Sequence, residues 1–222
     1  MLGILWQIVV MPLPWALRRR LLNMLPNVRI AGDARIGLSL IDAKEIVLED
    51  GAVIGHLTIA KGLDRLHLHS HARIGNLNWI TAVPGHSATF YTHLPARDPS
   101  LVVGEHGSIT HRHLIDCTGG VSIGPFATLA GWRSQVISHG FDFRASRQDA
   151  AAISIGAYAF VGSQCLLLKG SAFPAYSLLA AGSVFGEEEA ASHGIFRGNP
   201  ASREGDLPED LAYFHRSRGF IE

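Results

Sequence analysis

An all-β fold, a parallel β-helix built of hexapeptide repeats, is what this sequence predicts, on three observations. Bulky apolar residues recur every six positions: Ile155, Val161, Leu167, Phe173, Leu179 and Phe185. A small residue stands four places after four of these anchors: Ala159, Cys165, Ser177 and Ser183. Glycine is abundant, 24 of 222 residues, and Gly156 and Gly162 directly follow two anchors. An amphipathic helix repeats at 3.6 and a half-buried strand at 2.0, so neither gives a period of six.

The physical reading is a short strand followed by a tight turn. Each strand sends one bulky residue inward, and the residue four later must be small to fit a corner. Glycine after the anchor is read as a place where φ turns positive. Three hexads make one triangular coil of about 18 residues, and stacked coils bury their apolar columns on one another. Upstream the pattern returns with breaks: Ile30 and Ile36; Leu48, Ile54 and Ala60; Leu68, Ile74 and Ile80; Val103, Ile109, Ile115 and Val121; then Ile123 and Leu129. Small residues again follow, at Ala52, Thr58, Ala72, Asn78 and Ala127. The β-helix is therefore expected over 28–186.

Two stretches interrupt it. Residues 82–100 and 139–152 are rich in turn formers, aromatics or polar groups and read as loops leaving a coil, which are favoured places for function. Residues 1–27 form an apolar and basic segment, with an extended lead-in and then a helix; Leu13, Leu17, Leu21 and Leu25 make one apolar stripe. Residues 187–222 are expected to form a tail whose short helix caps the open coil end.

Composition narrows the function. Charged residues are 17% of the chain and the formal net charge is zero, so nothing points to nucleic acid. The first 30 residues carry Arg18, Arg19, Arg20 and Arg29 and no acid. The apolar run before the arginine triplet has its charges on the wrong side for a secretory signal, and Pro12 and Pro14 interrupt it. It also falls short of the ~20 residues that a spanning helix needs. Its stripe either packs on the domain or lies at a membrane surface with the arginines facing anionic lipid, a peripheral contact through residues 1–25. Cys117 and Cys165 match no metal spacing and suggest no disulfide framework, so a reducing, cytoplasmic setting is expected.

Three segments resemble the hexapeptide-repeat acyltransferases: VSIGPFATLAGWRSQVISHG (121–140), ISIGAYAFVGSQCLLLKGSAFPAYSLLAAGSVF (153–185) and GNPASR (198–203). Their order is similar to that in sugar O-acetyltransferases of the galactoside and maltose type. The resemblance implies a left-handed coil, a homotrimer with sites between neighbours, and transfer of an acetyl or small acyl group from acetyl-CoA. The acceptor it implies is a hydroxyl, or less often an amine, of a sugar or glycoconjugate, in a setting such as polysaccharide biosynthesis.

By the same resemblance His139, at the start of the second loop, is the general base. An imidazole suits that task because histidine titrates near neutral pH; the alternative is a solvated loop histidine. Asp142 is expected to orient it, unless it is only a solvated acid. His111, His113 and Asp116, one coil earlier, are candidates for holding the acceptor, or else form an outer polar ladder. Phe160, Gly162 and Ser163 resemble a stretch that lines the acyl-CoA groove, and Ala181 a small residue beside pantetheine.

One departure stands out: where the family carries a lysine for a CoA phosphate, this chain has Glu187, Glu188 and Glu189. Like charges repel, so Arg197 and Arg203 are the candidates for meeting the phosphates. His67, His69 and His71 alternate and should share one side of an extended segment. His106 and His111 suggest a zinc-dependent γ-type carbonic anhydrase as a second reading, yet no triplet has its ligand spacing, and no metal is expected. A non-catalytic scaffold is the third reading. Trp79 and Trp132 are expected on a coil face or at a trimer contact.

Overall fold

A computed structural model describes residues 2–186 and 190–219. It is a left-handed parallel β-helix whose coils each lay one short strand on each of three faces. On face A the inward column runs Leu48, Leu68, Val103, Ile123, Ile155 and Phe173. On face B it runs Ile36, Ile54, Ile74, Ile109, Leu129, Val161, Leu179 and Phe196. On face C it runs Ile41, Ala60, Ile80, Ile115, Val136, Leu167 and Phe185. All of these side chains are buried, and together they are the core. The six-residue anchors are these columns. Val121 departs: it is buried beside Leu101 and Ile153, two places before the Ile123 anchor.

The structure corrects the role given to glycine. Residues with positive φ stand three places after the anchors and are mostly not glycine: Leu57, Leu77, Arg112 and Gln164 on one corner, His71, His106, Phe126, Tyr158 and Tyr176 on another. The rings of that second corner stack in sequence, from His71 on His106 to Tyr176 on His193. Glycine directly after an anchor answers a different need. A Cβ at Gly156 would stand 2.4 Å from the Ala175 nitrogen, and one at Gly162 2.8 Å from the Ala181 nitrogen. The next coil's backbone leaves no room for a side chain there.

The corner three to five residues after the face-B anchors forms a buried polar ladder. Thr58 N–H donates to Ser39 Oγ, Asn78 N–H to Thr58 Oγ1, and His113 N–H to Asn78 Oδ1. Ser134 N–H donates to His113 Nδ1, and Cys165 N–H to Ser134 Oγ. Each small polar side chain thus satisfies the amide of the coil above, as buried backbone requires. Cys117 and Cys165 are free and buried, and burial holds both thiols above their ordinary pKa.

Two helices, α1 (Leu2–Val10) and α2 (Trp15–Leu22), cover the first coil. The lead-in expected to be extended is helical, and Leu17 of the proposed stripe is 46% exposed. Leu13 and Leu21 of the stripe do pack against the core, with Trp6 and Trp15, and polar tips add to this covering face. Gln7 exchanges hydrogen bonds with the Ile41 amide and carbonyl, Trp15 Nε1 donates to Ala34 O, and Arg18 donates to Ile36 O and Gly37 O. These groups satisfy the open edge of the coil. Arg18, read with its neighbours as facing lipid, is therefore buried and structural.

At the other end, strand Gly194–Gly198 adds to face B and pairs antiparallel with Ala201–Asp206. The C-terminal segment does not cap this end. Its single helical turn, Ala212–His215, buries Phe214 against the Tyr176 and His193 rings, and the chain then runs back along the corner. There Arg216 stacks over Tyr213 and Tyr158, and Gly219 N–H donates to His106 Nδ1.

Candidate active site

The site lies where face C turns into face A. Strands Leu114–Asp116 and Gln135–Ile137 pair in register, Asp116 against Ile137. His139 follows at once and opens a β-hairpin, His139–Asp142 with Arg147–Ala150. Stacking therefore sets the Asp116 carboxylate beneath the start of the hairpin. His139 Nδ1 lies 2.8 Å from Asp116 Oδ2; the imidazole is 46% exposed and the carboxylate 7%.

Asp116 is held on all sides. Its Oδ2 accepts from Ser138 Oγ at 2.9 Å and its Oδ1 from Thr118 Oγ1 at 2.7 Å. Ser138 Oγ in turn takes the Gly119 N–H, and Thr118 Oγ1 the Val83 N–H. The loop after Thr81 closes on this network. Arg97 donates to the Val83, Pro84 and Thr118 carbonyls, and its guanidinium stacks 4.7 Å from the centre of the Tyr91 ring. Burial, and then the Asp116 charge, push the Tyr91 hydroxyl pKa up. On the hairpin side Lys169 pairs with Asp149 and lowers its pKa.

A carboxylate held at Nδ1 engages that nitrogen of the ring, and the imidazole is otherwise partly open to solvent. This is the arrangement a histidine base needs. The carboxylate against His139 is thus that of Asp116, not Asp142. Asp142 instead accepts the Arg144 and Ala145 amides and shapes the hairpin turn.

The other expected acceptor residues lie elsewhere. His113 is buried in the corner ladder, its Nε2 against Thr110 Oγ1 at 2.9 Å, and burial lowers its pKa to about 4. His111 faces a separate cleft on face B with Arg73, Asn76 and His106, where its Nδ1 accepts the Asn76 N–H. His106 Nδ1 takes the Gly219 amide, so neither histidine joins a metal-ligand cluster among the described residues.

The expected donor residues gather on the corner between faces B and C. Gly162 packs on Ala181, and Ser163 accepts the Gly182 N–H at its carbonyl and the Trp132 N–H at its Oγ. The corner is open beyond: Ala181 is exposed, and a Cβ at Gly182 would meet nothing within 4 Å. Phe160 is instead covered by the C-terminal segment, edge-on to Tyr213. Arg197 reaches solvent beside this corner and, among the described residues, makes a loose 3.5 Å pair to Glu204. Arg203 donates to Asp206 and to the Ala191 and Ser192 carbonyls. Glu187, Glu188 and Glu189 lie outside the described residues.

No family model and no curated protein matches the sequence. Among solved structures, the polySia-specific acetyltransferase NeuO superposes with a TM-score of 0.50 at 15% identity, covering 83% of this chain and 84% of that one. The fold is that of the hexapeptide-repeat acetyltransferases. A hexapeptide transferase family protein from Anaplasma phagocytophilum is 21% identical over 86% of this chain and 82% of its own, with a TM-score of 0.45. A hexapeptide-repeat acetyltransferase from Vibrio cholerae is 14% identical over 93% and 89%, with a TM-score of 0.48. On this hexapeptide-repeat frame, the sequence offers Asp116 as a candidate but not its pairing with His139. Thr118, Ser138, Arg97 and Tyr91 carried no sequence signal, because only coil stacking and loop closure bring them to Asp116.

Proposed function

We propose that this protein is an O-acetyltransferase that moves an acetyl or small acyl group from acyl-CoA to a sugar or glycoconjugate hydroxyl, with His139 as base. The observation that carries the reading is the His139–Asp116 pair at a hairpin base on this fold. His139 Nε2 takes the acceptor proton. The freed oxygen attacks the thioester carbonyl, the C–S bond breaks, and the proton passes to the leaving thiolate. The glycine-lined corner at Gly162, Ser163 and Ala181, with Arg197 beside it, suits an extended thiol chain ending in phosphates.

That corner and His139 stand on opposite edges of face C, so one site needs two copies of the chain. Face C and its B-side corner expose Trp79, Leu114, Leu57, Leu77 and Trp132 between them. An apolar surface of this kind favours self-association, and we assign it to a homotrimer.

No described helix is long and apolar enough to cross a membrane. Exposed Leu5, Ile8, Val9 and Leu17 lie on helices that carry Arg19 and Arg20 and no acid. This supports peripheral contact with an anionic membrane, where a lipid-linked acceptor would be within reach.

The test is thiol release from acetyl-CoA with a panel of sugars and nucleotide sugars. His139→Ala should lose about 10²–10⁴-fold in kcat. Equal turnover in the variant would remove His139 as the base.

A further inference from the structure

Glu49 and His69 occupy equivalent positions in adjacent coils, since the preceding residues Leu48 and Leu68 are paired. His67 projects from the strand that runs directly into His69. His67 Nε2 lies 2.8 Å and His69 Nδ1 3.0 Å from the same oxygen, Glu49 Oε1. The two imidazole rings are 4.1 Å apart. The second carboxylate oxygen, Oε2, accepts the Ser70 N–H at 3.0 Å and the Ser70 hydroxyl at 3.2 Å. His71, expected on the same side, turns away at the corner with φ 59° and stacks on His106.

We propose that Glu49, His67 and His69 bind a divalent transition-metal ion of the zinc class. The ligand atoms lie within 4.8 Å of one another. Tetrahedral zinc with bonds of about 2.0–2.2 Å separates its ligands by roughly 3.3 Å, so the cluster needs only slight opening. Two imidazoles and one carboxylate suit zinc, whereas calcium and magnesium take oxygen ligands. Ser70 fixes the carboxylate from behind, the outer-shell support that metal ligands commonly have. The side chains are 22–38% exposed, which leaves the fourth position open to water. The site sits at the corner between faces A and B, in coils that precede the His139 coil, and is independent of the acyl-transfer reading. An ion there clips two successive coils together.

The experiment is calorimetric titration of the chelator-stripped full chain with Zn²⁺, repeated for His69→Ala, Glu49→Gln and, as a control, His106→Ala. Wild type and His106→Ala should take one ion per chain with micromolar or tighter affinity, and the other two should bind at least tenfold more weakly. Co²⁺ should give the intense visible absorption of tetrahedral coordination, lost in His69→Ala. At Zn²⁺ near 100 times Kd, Tm should rise by roughly 5–10 °C in wild type and His106→Ala but not in the two ligand variants. Circular dichroism confirms that the variants fold, and Glu49→Gln keeps an acceptor for Ser70. Absence of binding below about 100 µM, or wild-type affinity in both ligand variants, overturns the site.

Discussion

His139 Nδ1 and Asp116 Oδ2 stand 2.8 Å apart, joined across two successive coils rather than along the chain. Asp116 ends one face-C strand, and His139 begins just past the strand stacked on it. The carboxylate is buried under two hydroxyl donors, Thr118 and Ser138, and so cannot swing away. On the proposed reading of His139 as base, the ring would have one nitrogen committed and the other free.

Asp116→Asn should therefore cost about 10²–10⁴-fold in kcat, because an amide no longer holds the useful imidazole tautomer. Asp142→Asn should stay within a few-fold of wild type, since that side chain only caps the hairpin turn. Steady-state kinetics of both variants with acetyl-CoA and an accepted sugar decide it. A reversed order of effects would return the orienting role to Asp142.

His113 makes stability pH-dependent. Its folded pKa is lowered to about 4, so the fold favours the neutral ring. The contribution is complete above the unfolded value near 6.5. It is lost as pH falls from there through 4, because the unfolded chain takes a proton that the folded chain refuses. About 3 kcal/mol should disappear over that window. His113→Asn, which places in the ladder the residue type already at Asn78, should flatten this part of the profile. Urea unfolding at pH 7, 5.5 and 4 measures it, and an unchanged slope in the variant would sink the assignment.

The glycines after anchors are sites of steric contact, not of unusual φ. Gly156→Ala sets a methyl against the Ala175 nitrogen and should cost at least 1–3 kcal/mol, or prevent folding. Gly182→Ala meets nothing within 4 Å but must hold φ at +76°, a cost of about 1 kcal/mol. Thermal unfolding of the two variants compares them directly. A larger loss at Gly182 would restore the conformational explanation.

The six-residue period by itself determined the stacked coils, their inward columns and the two places where the chain leaves them. Each hexad is a local rule: one bulky residue in, one small residue at the corner, repeated until the columns close on one another. It also pointed to His139 through a resemblance in the surrounding segments. Only the tertiary structure decided what each polar side chain meets. Asp116 became the partner of His139, and His113 a rung of a buried ladder. Arg18 caps the first coil, and Arg203 pins the final hairpin. The physical reason is register. A side chain's inward or outward direction follows from its place in the hexad, whereas its neighbours come from other coils. Those coils are brought alongside by stacking, and loops of irregular length change which residues meet.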